Sequence, residues 1–375
     1  MRTLILLAGL WLPCLLWAVE SQQARFQVEV VAQGLDHPWG LDFLADGRLL
    51  VSERSGQLRT VTVAPVAGNN TDNKAPATLS DPIQGLPDIW TGGQGGLLDV
   101  ARYQDWIYFS YAEPGSLPLT NSTAVARAKL QANRLTDLQV VFRQQPKYVS
   151  RAHFGSRLVF DQAGHLYITL GDRYLPRDDA QTLDNHHGKI IRLWADGRVP
   201  EDNPFVATRG ALPEIWSLGH RNSQGATLHP VTGELWTHEH GPRGGDEINL
   251  IQPGHNYGWP VITYGEEYSG GKIGEGTHKA GLEQPLHYWV PSIAPSGMTF
   301  YSGDAFPAWQ GDLFVGSLKF RQLVRLELDG HKVVGEERLL EQEVGERIRD
   351  VVQGPDGFLY LLTDQSNGKI LRLRP

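Results

Sequence analysis

The chain has 375 residues, room for two or three domains on size alone. Hydrophobic residues make up 41% and charged residues 20%, which allows a sizeable core and excludes a chain disordered throughout. A formal net charge of −8 argues against a general phosphate-binding surface, so nucleic acid is not an expected partner.

The first feature in chain order is Met1-Arg2-Thr3 followed by an apolar run to Trp17 and the small residue Ala18. A basic start, a short apolar stretch and a small residue read as a secretory signal over residues 1–20, with the protein exported to the periplasm. The run of ~14 residues is short of the ~20 that span a bilayer, so stable membrane insertion is not expected. Cys14, the one cysteine, lies inside this segment. Cleavage near Ala18 would leave no disulfide, thiolate metal site or cysteine nucleophile in the mature protein.

Beyond the signal, helical periodicity is scarce and a strand–turn–strand unit recurs. Residues 41–52 form the first clear copy, with Asp46-Gly47 at the turn, and residues 156–168 and 348–360 repeat it. Looser copies occupy 97–110, 226–238 and 298–316. Their second strands begin near Leu49, Trp106, Leu166, Glu234, Asp312 and Leu359, roughly 47 to 78 residues apart. That spacing accommodates a four-stranded sheet plus a variable loop and predicts an all-β, six-bladed propeller over residues 21–375. A β-helix needs a shorter, more regular period, and a pair of sandwiches does not explain the repeat. Candidate outer strands lie at 57–61, 189–193 and 369–373, and residues 25–31 are placed to complete the last blade and close the ring. Residues 66–76 read as an exposed loop, and the Gly-, Glu- and Tyr-rich stretch 254–284 as an insertion building one face.

Polar clusters sit between the strands. His238 and His240 flank Glu239, but this spacing is not that of a zinc-binding helix. The Gly241-Pro242 turn followed by Asp246 and Glu247 offers carbonyl and carboxylate oxygens, which suit calcium better than zinc; a solvated acidic loop is the other reading. His153 precedes an inner strand and is the right residue type for a general base, or else a buried structural histidine. Asp172 ends the same hairpin and is positioned to orient that imidazole, or simply to form a turn. Arg347 and Arg349 share a strand face and, with Lys319, form a basic cluster in an acidic protein. Such a cluster fits a small polyanion if it is not solvated surface.

Taken together, Gln94 in its Gly-rich turn, the His153 segment, Gly219 to Gly225, Glu239 to Asn249, Asn256-Tyr257-Gly258-Trp259-Pro260, Leu318-Lys319 and Arg347 to Asp350 resemble the soluble quinoprotein glucose/aldose sugar dehydrogenases. The likeness runs in order along nearly the whole mature chain and is nearer to the bacterial aldose sugar dehydrogenase branch. It implies a propeller that holds pyrroloquinoline quinone (PQQ) and calcium, oxidises aldose sugars at the anomeric carbon to lactones, and passes electrons to an external acceptor as a monomer or homodimer. By motif, His153 would be the base, Asp172 would orient it, and Arg221 would stabilise negative charge on the quinone oxygen. Gln94, Asn222 and Tyr268 would contact the cofactor, and Lys319, Arg347 and Arg349 would neutralise its carboxylates. Gly241 and Pro242 carbonyls would hold the calcium that polarises the quinone, and Glu247 with the Tyr257 carbonyl a further, structural calcium.

Ala152 stands where the glucose-oxidising relatives have Asp, Val290-Pro291-Ser292 replaces a Trp-Pro-Thr segment, and residues 266–283 differ. These departures imply a more open pocket and broad aldose acceptance. A calcium-dependent lactonase on the same fold and a non-catalytic binding propeller are the competing readings. Neither explains the Lys319, Arg347 and Arg349 cluster.

Overall fold

The computed structural model describes residues 17–63 and 77–375. Most of the signal segment and the loop expected at 66–76 fall outside the described residues.

Six antiparallel sheets form the blades of a propeller. Blade 1 comprises Pro38–Phe43, Leu49–Glu53, Gln57–Thr62 and Thr78–Leu79, and blade 2 comprises Leu97–Tyr103, Trp106–Pro114, Asn121–Gln131 and Arg134–Arg143. Blade 3 is built from Leu158–Phe160, His165–Thr169, Lys189–Trp194 and Ile215–Leu218, and blade 4 from Gly225–Leu228, Leu235–Glu239, Asp246–Leu250 and His287–Trp289. Blade 5 contains Pro295–Phe300, Leu313–Ser317, Gln322–Asp329 and Lys332–Leu339. Blade 6 joins Ile348–Gln353, Leu359–Thr363 and Gly368–Arg374 to Arg25–Leu35 from the other end of the chain, as the alternation at 25–31 predicts. Trp17–Glu20 adds a fifth strand at its rim, paired with Arg25–Leu35 and reaching back into the segment read as signal. Helix among the described residues is limited to 3₁₀ turns at Arg177–Gln181 and Pro307–Trp309, and none of it is long and apolar enough to cross a membrane.

Burial explains why the second strands dominate the sequence pattern. Leu49–Glu53, His165–Thr169, Leu235–Glu239, Leu313–Ser317 and Leu359–Thr363 are buried at every position, because each lies between two neighbouring blades. A strand covered on both faces reads as a continuous run rather than an alternation. The outermost strand of blade 5, Lys332–Leu339, has one wet face and does alternate. The core is correspondingly divided into inter-blade layers, such as Phe26 against Trp309 and Phe314 between blades 6 and 5, and Leu50 with Phe109 between blades 1 and 2. Gly47 and Gly357 take positive φ (84° and 78°) at the turns between first and second strands, where a side chain would be strained.

The inner strands are tied across the axis by a buried ion network. Nη1 of Arg157 lies 2.8 Å from Asp99 and 3.0 Å from Asp350, and its guanidinium sits 4.6 Å from the Trp39 ring centre. Asp99 also accepts the Leu158 N–H and Asp350 the Leu41 N–H, so one arginine links blades 1, 2, 3 and 6. Arg157→Ala should destabilise the protein by about 3–5 kcal/mol in urea unfolding, because it strands two buried carboxylates. A loss below about 1 kcal/mol would show that the network is not a structural tie.

Candidate active site

His153 lies in the loop entering blade 3 with φ +53°, a left-handed conformation uncommon for a non-glycine residue. Its clamp is Arg173, whose guanidinium donates to the carbonyls of Ser150, Ala152 and His153 and stacks 3.7 Å from the Phe154 ring centre. The Gln94 side-chain oxygen accepts the His153 backbone N–H at 2.8 Å, and Asn222 Oδ1 accepts that of Gly155 at 3.1 Å. Across the hairpin, a Cβ on Gly171 would lie 2.1 Å from the His153 carbonyl oxygen. That close backbone approach needs glycine, and it brings the next residue, Asp172, against the imidazole.

His153 Nδ1 is 2.6 Å from Asp172 Oδ1. Both side chains are buried, and the exposed ring of Tyr174 meets His153 edge-on with centroids 5.3 Å apart. Burial disfavours the charge on Asp172, yet the His153 ring and hydrogen bond, Arg221 and the Tyr174 N–H hold its pKa below the ordinary carboxylate value. Burial is also the largest influence on His153 and, with the Arg221 and Arg173 charges, pushes it below 6.5 against the opposing pull of Asp172. The pair is therefore a carboxylate and a neutral imidazole near pH 7, with Nδ1–H donated to Asp172 and Nε2 left as the basic nitrogen.

Arg221 donates from Nη1 to the carbonyls of His240 (2.9 Å) and Gly241 (2.8 Å), and its backbone carbonyl accepts the Asp172 N–H. On the side of blade 6, Arg349 and Arg347 share one carboxylate, Asp364, at 2.8 and 3.2 Å. Burial opposes its ionisation, but Arg349 and Arg347 hold the Asp364 pKa at about 2. Arg347 also donates to the Leu318 carbonyl, which brings Lys319 alongside; Lys319 is exposed and has no ion-pair partner among the described residues. The Nε atoms of Arg221 and Arg349 are buried without a hydrogen-bond partner. Cations thus outnumber carboxylates here, and a small polyanion fits this charge set.

A pocket beside Arg221 is lined by Glu239, Gly241, Glu247 and Tyr257. Burial and the Glu239 charge push Glu247 well above the usual carboxylate range. The Tyr257 hydroxyl is committed to the Leu250 carbonyl, and no backbone N–H donates to the Tyr257 carbonyl among the described residues. Among the described residues no cluster of three His, Cys, Asp or Glu side chains is placed to hold a metal ion, so a cation here would rely on carbonyls as well as carboxylates. Crowded carboxylates with carbonyl oxygens at hand fit calcium. Asp246, in contrast, accepts from the Gly241, Ile293 and Ala294 N–H groups and from Ser292, and so fastens the turn. His238 and His240 spend Nε2 on the carbonyls of Ser296 and Pro295, and no group of three His, Cys, Asp or Glu side chains gathers around them among the described residues, which argues against zinc.

The structure therefore unites His153, Asp172, Arg221, Gln94 and Asn222 in one group, gathers Lys319, Arg347 and Arg349 in a second, and places Gly241, Glu247 and Tyr257 around one pocket beside Pro242. Tyr268 is 63% exposed on the insertion, and no hydrogen bond or ring contact joins it to these groups among the described residues. Sequence reading gave no role to Asp364, to Arg54, whose charge also lowers the Asp364 pKa, or to Glu239 and Trp259. Asp364 and Arg54 sit singly in short turns between strands and carry no local motif, whereas Glu239 and Trp259 lie within the quoted motifs.

The fold is that of the sugar dehydrogenase propellers. A family profile described as "Glucose / Sorbosone dehydrogenase" matches residues 35–372, and the chain belongs to that family. It is 46% identical to the aldose sugar dehydrogenase YliI of Escherichia coli K12 over 96% of each chain. The apo crystal structure of the soluble aldose sugar dehydrogenase from E. coli superposes with a TM-score of 0.86 at 46% identity, covering 93% of this chain and 99% of that one. The PQQ-bound form of aldose sugar dehydrogenase from Streptomyces coelicolor gives a TM-score of 0.72 at 26% identity, covering 93% and 98%.

In the ligand-free protein, the His153 ring should titrate below pH 6.5 when followed by NMR. Asp172→Asn removes the charge that raises this pKa and should move the midpoint further down; an upward shift would show that Asp172 is not its ionised partner.

Proposed function

We propose that the protein is a PQQ- and calcium-dependent aldose sugar dehydrogenase that converts the anomeric carbon of its substrate to a lactone and hands the electrons to an external acceptor. The observation carrying this reading is the buried His153–Asp172 pair, 2.6 Å apart, beside a basic cluster with more cations than carboxylates. The likeness to a PQQ-bound relative supports the same choice. When bound, the quinone supplies the two-electron, hydride-accepting chemistry.

The chain's own residues do the rest. His153 Nε2 takes the proton of the anomeric hydroxyl as the C1 hydride departs, and Asp172 holds the imidazole through Nδ1–H and stabilises the cation that forms. Arg221 offers guanidinium N–H groups where negative charge develops on the acceptor oxygen. Lys319, Arg347 and Arg349 hold the cofactor carboxylates, with Gln94 and Asn222 bracing the loop that carries the base. Gly241 and Pro242 would supply carbonyl ligands to the calcium at the quinone, and Glu247 with the Tyr257 carbonyl to the structural one. Residues 1–20 would direct the chain to the periplasm.

Purified apoprotein given PQQ and calcium should reduce a dye acceptor with several aldoses; no dye reduction and no bound-cofactor spectrum would overturn the reading. His153→Gln should retain that spectrum and lose about 10²–10⁴-fold in turnover. Glu247→Gln should shrink the rise in melting temperature that calcium produces over chelator-treated protein; an unchanged rise would remove Glu247 from the ligand set.

A further inference from the structure

Trp259 reaches the active site from the insertion between the third and fourth strands of blade 4. Its indole N–H donates to Asp172 Oδ2 at 2.7 Å, the oxygen that His153 does not use. Asp172 Oδ1 receives His153 Nδ1 and the Tyr174 N–H at 2.7 Å, so the fully buried carboxylate has a donor on each oxygen. The indole is itself held fast. Its backbone N–H donates to Gly219, its carbonyl accepts Gln181 Nε2 at 2.7 Å, and its side chain is buried with Ala180 and Ile273. The Arg221 guanidinium lies 5.2 Å from its ring centre, so the same side chain touches both the acid that orients the base and the cation beside it.

A carboxylate bound through one oxygen alone can turn about its Cβ–Cγ bond, a broad torsion, and offer either oxygen to the imidazole or to water. A donor fixed on Oδ2 prevents this and commits Oδ1 to Nδ1–H, which keeps Nε2 as the free base. The charged and titratable groups around His153 are Asp172, Arg221, Arg173 and the Tyr174 ring. Trp259 adds no charge to that set; it fixes the geometry of its one anion.

We propose that Trp259 is a positioning residue for the His153–Asp172 pair, acting through its indole N–H on the second carboxylate oxygen. This rests on the proposed base role of His153 for its effect on rate, but not for its effect on the imidazole.

The test uses Trp259→Phe and, as an isostere that removes the N–H alone, replacement of Trp259 by benzothienylalanine. In ¹⁵N-histidine-labelled apoprotein, the hydrogen-bonded Nδ1–H of His153 should exchange with solvent at least about tenfold faster in both variants. In PQQ- and calcium-loaded protein, kcat should fall about 10- to 100-fold, the range expected for losing a hydrogen bond to a charged group, with KM for the sugar and the bound-cofactor spectrum unchanged. If Trp259→Phe does not fold, the isostere carries both measurements. Unchanged Nδ1–H exchange, or a kcat loss explained wholly by reduced folded fraction, would overturn the proposal. Wild-type protein inactive on aldoses would sink the sugar-oxidising reading, while faster exchange in the variants would still support Trp259.

Discussion

The pairing of Arg25–Leu35 with Gly368–Arg374, from Gln27 opposite Arg374 to Leu35 opposite Gly368, is the constraint from which the site follows. It converts a row of sheets into a closed ring, and closure leaves each inner strand a single place around the axis. The site residues lie in the connections at one end of those strands. His153 enters blade 3, Arg221 and Asn222 enter blade 4, and Arg347 and Arg349 stand at the start of blade 6. Residues nearly two hundred apart in sequence therefore converge without a helix or a second domain to carry them.

Along the axis, a line of polar contacts connects the site to the middle of the ring. Asp364 holds Arg349, Arg349 donates to the Gln224 side chain, and the Gln224 carbonyl accepts from Arg157, which is neutralised in turn by Asp99 and Asp350. The charge is unequal at the two ends. Around Arg157 carboxylates outnumber the cation, whereas around Asp364 cations outnumber the carboxylate. Arg349 and Asp364 balance each other in the interior, while the surplus cations Arg347 and Lys319 are open to solvent, which leaves them free to meet an incoming anion.

His153 is held by backbone geometry as much as by hydrogen bonds. Positive φ values at His153, Arg173 and Tyr174 (53°, 62° and 75°) place three non-glycine residues in the left-handed region around one carboxylate. The strain is sustained by the Arg173 clamp, the Gly171 contact and the Gln94 cap, none of which has to form during turnover. Such a preformed arrangement is what the proposed base chemistry requires.

The sequence by itself determined the architecture. Second strands buried on both faces carry unbroken apolar stretches such as Leu166-Tyr167-Ile168 and Leu359 to Leu362, and most of the turns before them hold a positive-φ glycine, so the six-fold repeat and the strand that closes the ring are written locally. It also marked the chemical residue types: a histidine before an inner strand, an aspartate at the hairpin end and two arginines on one strand face. What only the tertiary structure decided is which neighbours give those groups their properties. That Asp364 is shared by two arginines depends on the pairing of neighbouring strands in blade 6, that Glu239 crowds Glu247 on their register in blade 4, and that Trp259 completes the Asp172 carboxylate on loops of blades 4 and 3 meeting. Hydrogen bonds and desolvation are set by distance in space, and periodicity along the chain does not encode which loops will meet.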